Sequence, residues 1–332
     1  VNHEMRCGAE HLLKTGSIED FLFFEDNAVY GSEQGEIPEI KINIGMFEGD
    51  IPAYLDMNSV DIPNSQVVIA GSTGSGKSNL LAVLISEFRN STIESRYPVN
   101  FLLFDYKGEF SDPVNREWLK LFEVDETVLY NPVRSPLPFN PFKDFTGKPQ
   151  NEINLYATEL AEALAALDRT RISANMSNRL AEAVINAYNI TGMKPVNFTL
   201  ILHQYTHLQS SKDAANTDSV KSVLSQLIRT NLFSDDDSLN LISNSMIIDL
   251  SSFPKDGPIA KAIVYFTVSK LNNLYETAEI QKKDDKFVQI RHFTIIDEAH
   301  YMLEFDNKPL KQLIAVGRNK GFSIILATQN MD

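Results

Sequence analysis

Gly71-Ser72-Thr73-Gly74-Ser75-Gly76-Lys77-Ser78 lies between a β-branched run, Val67-Val68-Ile69-Ala70, and a stretch with apolar residues at helical spacing, Leu80, Leu81, Val83, Leu84 and Phe88. A short buried strand, a glycine-rich turn and then a helix is the setting in which G-x4-G-K-[ST] works as a phosphate-binding loop. The glycines let backbone N–H groups turn inward around phosphates, and the helix N-terminus adds partial positive charge. Gly71, Ser72, Thr73, Gly74, Ser75, Gly76, Lys77, Ser78 and the adjoining Asn79 are therefore the candidate ATP ligands. Lys77 is expected to reach the β- and γ-phosphates, and Ser78 to ligate Mg²⁺ through its hydroxyl.

Downstream, Phe101-Leu102-Leu103-Phe104-Asp105 reads as a second buried strand ending in a carboxylate, which completes a βαβ unit. A proline-rich loop over 131–149 follows, and then helices at Glu152–Leu167, about Asn175–Tyr188 and Asp218–Arg229, a helical insertion over about 150–240. Strands are expected again at Met246–Leu250, Phe293–Asp297 and Ser323–Thr328, with a long apolar helix over Ile259–Tyr275. Strands of this kind separated by helices predict an α/β fold, a mostly parallel sheet covered on both faces. Before it, residues 1–62 carry short apolar stretches split by turn signals, among them Phe21-Leu22-Phe23-Phe24, Gly31-Ser32-Glu33-Gln34-Gly35, Ile42-Asn43-Ile44-Gly45 and Ile51–Leu55. They read as a small β-rich module, leaving 63–332 as the nucleotide-binding domain.

Phe293-Thr294-Ile295-Ile296-Asp297-Glu298 is an apolar strand ending in two acids. Asp297 at the strand tip is expected to hold Mg²⁺, and Glu298 to orient and deprotonate the attacking water. The pair suits hydrolysis better than kinase chemistry, which must exclude water. An acidic helix start gives the same two letters, and His300 reads as a helix residue near the site. The long separation of Lys77 from Asp297, with strands and the insertion between, points to a RecA-like motor ATPase. Gln329, after the last strand, is a candidate reporter of the γ-phosphate or else a loop glutamine. Arg318 is a candidate arginine finger acting on a neighbouring subunit, a solvated loop charge or a nucleic-acid contact; Arg229 and Arg179 are weaker candidates. Asp105 and Glu109 border the crevice as possible supports for water or Mg²⁺, and a turn explains Asp105 and Gly108 nearly as well.

The composition, 43% hydrophobic and 22% charged, is that of an ordinary globular protein. The net charge of −14 gives no support for a surface that is basic all over, although a ring can hold a basic inner wall. Lys107, Lys143, Lys148 and the Lys282-Lys283 pair are pore-lining candidates or plain surface charge. Cys7 is the single cysteine, no apolar run approaches the roughly 20 residues of a membrane helix, and the N-terminus has no signal pattern, so a cytoplasmic protein without membrane partners is expected. The sequence opens without Met and stops at Gln329-Asn330-Met331-Asp332, directly after a strand-like run, which suggests a piece of a longer protein.

Taken in order, Ile44-Gly45 to Tyr54-Leu55, Gly71–Ser78, Phe104-Asp105-Tyr106-Lys107-Gly108-Glu109-Phe110, Ile248-Asp249-Leu250-Ser251, Ile296-Asp297-Glu298-Ala299-His300, Gly317-Arg318 and Ala327-Thr328-Gln329 resemble the HerA/FtsK superfamily of hexameric ATPases, and HerA-like proteins most closely. The resemblance implies a RecA-like core with a helical insertion and an N-terminal β-barrel, a homohexameric ring, and ATP-driven translocation of double-stranded DNA. It also implies a partner, a nuclease in DNA end resection and repair or an effector enzyme in antiviral defence. A regulatory or scaffold ATPase that controls a partner without pumping DNA, and a motor similar to those of type IV secretion, are the alternative readings.

Overall fold

Runs of Val, Ile, Leu and Phe bury themselves on both faces when they lie in the middle of a parallel sheet, and the core of this protein is built that way. The computed structural model describes residues 36–62, 64–112, 114, 116–167, 172–190, 195–235, 239–303 and 307–329. Strands β1 (Lys41–Phe47) and β2 (Ile51–Asp56) form an antiparallel hairpin. Six further strands follow: β3 (Val67–Ala70), β4 (Asn100–Asp105), β5 (Leu129–Tyr130), β6 (Met246–Asp249), β7 (His292–Ile296) and β8 (Phe322–Thr328). They make one sheet in the order β3-β8-β7-β4-β6-β5, every pairing parallel. The helices are α1 (Lys77–Thr92), α2 (Glu117–Leu121), α3 (Gln150–Leu167), α4 (Ala174–Ile190), α5 (Phe198–His207), α6 (Ser211–Ala214), α7 (Ser219–Thr230), α8 (Pro258–Glu276), α9 (His300–Leu303) and α10 (Lys308–Val316).

The period of two along each strand divides the interior into two cores. Phe101 and Leu103 of β4, Phe293 and Ile295 of β7, and Ile325 and Ala327 of β8 face α1, where Leu81, Leu84, Ile85 and Phe88 meet them. Leu102, Phe104, Ile296, Ile324 and Leu326 face the other way, into the core shared with α8, α10 and the helices α3, α4, α5 and α7 of the chain between β5 and β6. Phe88 stacks on Phe293 at a centroid distance of 4.7 Å, which pins the helix behind the phosphate loop to the centre of the sheet.

The five core strands and the helices expected in the insertion occur where the sequence placed them. The two-residue β5 is too short for a periodic signal. α5 and α10 were not expected; each starts at an asparagine cap, Asn197 accepting from the Leu200 N–H and Asn307 from the Leu310 N–H, both at 3.0 Å. Phe21–Phe24 and Gly31–Gly35 of the expected β-rich module lie outside the described residues. The described part of that module does not stand apart from the ATPase core, since Ile40, Ile42 and Met57 join the cluster of Leu81 and Phe88 and one compact unit runs from Ile37 onward. Buried Asn58 ties the hairpin down, accepting from the Ile40 N–H at 2.8 Å and donating to the carbonyls of Pro38 and Val288 at 2.9 and 3.1 Å. Among the described residues no helix is long and apolar enough to cross a membrane.

His292, the first residue of β7, is fully buried, and among the described residues neither ring nitrogen has a hydrogen-bond partner. Burial pushes its pKa down to about 3, so it stays neutral in the fold while the unfolded chain protonates near the ordinary histidine value. The unfolded state therefore binds the extra proton between those values, and stability falls as the pH drops below about 6.5, by on the order of 1 kcal/mol at pH 5.5. His292→Phe is expected to remove that part of the acid dependence, read as the change in denaturant midpoint between pH 7.5 and 5.5; an unchanged dependence would show that His292 is not the group responsible.

Candidate active site

The phosphate loop leaves β3 with the Gly71 N–H bonded to the Thr328 carbonyl at 3.2 Å, so the turn begins against the neighbouring strand β8. Gly76 caps α1 at φ 90°, a left-handed backbone that glycine adopts without strain, and it offers no side chain to the helix. The leading N–H groups of α1 are thus left for a ligand, as an anion site at a helix start requires. A Cβ on Gly71 would stand 2.5 Å from the Ser75 Oγ, so a side chain there would require the Ser75 hydroxyl to turn away. The Lys77 side chain folds into the loop and donates to the carbonyls of Gly71 at 2.7 Å and Ser72 at 2.9 Å.

Asp297 and Glu298 leave the end of β7, held between its neighbours: the Asp297 N–H donates to Phe104 at 3.2 Å and the Ala299 N–H to Ala327 at 2.7 Å. Asp297 is wholly buried, and among the described residues neither carboxylate oxygen has a hydrogen-bond partner. Its burial, with the charges of Glu298 and Asp105 adding to it and Lys107 opposing, pushes its pKa up to about 6. A buried, unbonded carboxylate beside a phosphate loop fits a hard divalent cation, and the Ser78 hydroxyl belongs to the same class of oxygen donor. The described residues contain no group of three or more His, Cys, Asp or Glu side chains able to hold a metal alone, so a Mg²⁺ ion here would need further oxygens, such as those of phosphate and water.

Glu298 has φ 53°, a left-handed conformation that costs a non-glycine residue about 1 to 3 kcal/mol. Its Oε1 accepts from Gln329 Nε2 at 2.6 Å and pairs with Lys107 Nζ at 2.7 Å. Burial raises its pKa, but the Lys107 and Gln329 hydrogen bonds outweigh that and hold the carboxylate below the ordinary glutamate value. On its far side, Gln329 Oε1 accepts from Thr73 Oγ1 at 2.9 Å. One hydrogen-bonded path, Thr73–Gln329–Glu298–Lys107, therefore joins the phosphate loop to the acids. The sequence reading did not single out Thr73 as more than a loop residue, and it placed Lys107 among surface or pore-lining charges; the signal it passed over is that Lys107 stands two residues past Asp105, at the tip of a strand that borders β7. His300 Nδ1 lies 3.5 Å from Glu298 Oε2.

Other candidates lie differently. The Asp105 carboxylate is turned onto its own loop, accepting from the N–H groups of Lys107, Gly108, Phe110 and Ser111 and from the Ser111 hydroxyl, at 2.8 to 3.3 Å. Those five bonds make it the anchor of the turn, not a free ligand for water or metal. Glu109 is exposed. Arg318 is exposed and donates to the Ile62 carbonyl at 3.0 Å, ahead of β8 and so at the opposite edge of the sheet from the phosphate loop. Arg179 lies over the Tyr205 ring, 5.9 Å from its centroid, and Arg229 is exposed on α7. Asp105→Ala is expected to cost more than about 2 kcal/mol, because it strands several buried donors at once, and Asp105→Asn less. Chemical denaturation measures both; an Asp105→Ala protein as stable as the parent would show that the turn holds without its carboxylate.

Residues 42–274 match the family described as Helicase HerA, central domain. VirB4 of Thermoanaerobacter pseudethanolicus superimposes with a TM-score of 0.60 at 15% identity, covering 90% of this chain and 78% of VirB4. The plasmid coupling protein TrwB, solved with the non-hydrolysable ATP analogue ADPNP, does so with a TM-score of 0.53 at 14% identity, covering 90% of this chain and 74% of TrwB. No curated protein matches the chain. The sheet order, the helices on both faces and these likenesses are those of a RecA-like P-loop NTPase core. With the family match running over most of the chain and through the phosphate loop, the protein belongs to the HerA central-domain family and is a HerA-type P-loop ATPase.

Proposed function

We propose that this chain is the ATP-hydrolysing subunit of a cytoplasmic, homohexameric helicase-type ring that translocates double-stranded DNA and works with a nuclease or antiviral effector, in DNA repair or defence. The observation that carries the reading is the path from Thr73 through Gln329 to Glu298, which sets the phosphate loop and the acid pair at one edge of one sheet. The family match supports the motor class, and TrwB with ADPNP supplies the precedent for a nucleotide in a fold of this kind.

In this reading Lys77 exchanges the carbonyls of Gly71 and Ser72 for phosphate oxygens, keeping its ammonium inside the loop. Ser78 and Asp297 hold Mg²⁺, which when bound spreads the developing negative charge of the phosphates. Glu298, freed from its present partners, aligns a water and takes its proton. Gln329 bridges loop and base and so reports whether the γ-phosphate is there. Arg318 acts on the nucleotide of a neighbouring copy.

One observation favours a second reading, a scaffold ATPase that controls a partner enzyme without pumping DNA: the net charge is −14. The two separate in an ATPase assay of the assembled protein with and without duplex DNA. Strong stimulation by DNA supports the translocase, and indifference to DNA with stimulation by a partner protein supports the scaffold. In either, Glu298→Gln is expected to lower the hydrolysis rate by about 100-fold or more while ATP binding persists, and Lys77→Ala to lose nucleotide binding. Undiminished turnover in Glu298→Gln would remove Glu298 from the chemistry.

A further inference from the structure

Two carboxylates are buried side by side at the tip of β7, Asp297 fully and Glu298 to 1% exposure. The Lys107 ammonium lies 2.7 Å from Glu298 Oε1 and 3.7 Å from Asp297 Oδ2, so one cation serves both acids. It is not a wandering surface lysine. Its loop is wound around the Asp105 carboxylate, which binds the N–H groups of Lys107, Gly108, Phe110 and Ser111. Gly108 turns at φ +76°, where a Cβ would meet Ser251 at 3.0 Å, so the next loop packs hard against this one. A fixed loop delivers a fixed charge. Two acids and one ammonium leave a net negative charge in a buried setting, which attracts a further cation while the ammonium repels it.

We propose that Lys107 is a positioning residue, the resident cation of the Asp297–Glu298 pair, which holds Glu298 in its left-handed pose before nucleotide arrives and sets how much Mg²⁺ the site needs. This rests on the proposed roles of Asp297 and Glu298. In the free subunit, Lys107 and Gln329 occupy the same oxygen of Glu298, so that oxygen is not available to a water. With a Mg²⁺ ion held at Asp297, positive charge would be supplied there, and Lys107 would no longer have to serve both acids. Lys107 thereby opposes binding of Mg²⁺ in the empty site and keeps the base from acting there.

The test is equilibrium binding of ADPNP to the full chain, followed with a fluorescent analogue while free Mg²⁺ is titrated. Removing one positive charge about 4 Å from the metal's carboxylate should lower the Mg²⁺ concentration for half-maximal binding by about tenfold in Lys107→Met, and likewise in Lys107→Gln. Lys107→Arg keeps the charge and should stay near the parent value. A midpoint unchanged in both neutral variants overturns the proposal. So does a parallel loss of ADPNP affinity at every Mg²⁺ concentration, which would mark a merely structural loop residue, and so does an arginine variant that behaves like the neutral ones. The measurement involves no turnover; an active Glu298→Gln protein would sink the proposed chemistry, and an unmoved Mg²⁺ midpoint would sink the role of Lys107 alone.

Discussion

Parallel strands all finish at the same edge, and in this sheet that constraint gathers the chemistry. β3 delivers the phosphate loop, β8 delivers Gln329, β7 delivers Asp297 and Glu298, and β4 delivers the Asp105 loop with Lys107, in that spatial order. Had one of these strands run the other way, its tip residues would face the far edge, a full strand length away. The hydrophobic division of each strand between two cores keeps the strands parallel and in register, because a slip of one residue would send Phe101 and Leu103 of β4 to the wrong face. Function here depends on burial far from the nucleotide cleft, through the register that burial enforces.

Within that edge, charge and backbone strain are coupled. Glu298 occupies a left-handed conformation with a buried carboxylate, two conditions that each disfavour the fold. Both are tolerated because Gln329 and Lys107 converge on one oxygen and because flanking N–H groups are bonded to β4 and β8. Asp297 is the opposite case: among the described residues its oxygens have no hydrogen-bond partner, and burial pushes its pKa up to about 6. Two adjacent acids of the same strand tip are thus driven apart in proton affinity, Asp297 upward chiefly by burial and Glu298 downward by its hydrogen bonds to Lys107 and Gln329.

Much of this arrangement was legible in the sequence, for reasons specific to it. Val67–Ala70 before a glycine-rich turn, and Phe293–Ile296 before two acids, are long enough apolar signals to define strands with chemistry at their tips. β5, two residues long, carries no period, and α5 begins with Phe198-Thr199-Leu200-Ile201, which reads equally as strand; its helical state is settled by the Asn197 cap and by packing. Asp105 was ambiguous because a turn anchor and a metal ligand require the same residue at the same strand tip. Only the count of N–H groups around it separates the two. Lys107 was missed for a related reason: spacing along a loop says which residues are near a strand tip, not which way the loop coils.

Arg318 lies where its own chain cannot bring it to the phosphate loop. It precedes β8, whose seven residues span about 23 Å before the polypeptide reaches Gln329 at the nucleotide edge. An arginine side chain cannot cross that distance, and its guanidinium is bonded to the Ile62 carbonyl on its own side of the sheet. A nucleotide phosphate that it reached would therefore have to belong to another copy of the chain. A head-to-tail ring brings opposite faces of successive subunits together, which is the symmetry in which a group far from its own active site can complete the next one. The geometry of β8 thus makes a role for Arg318 in hydrolysis inseparable from assembly, whereas Lys77, Glu298 and Gln329 lie together in one subunit.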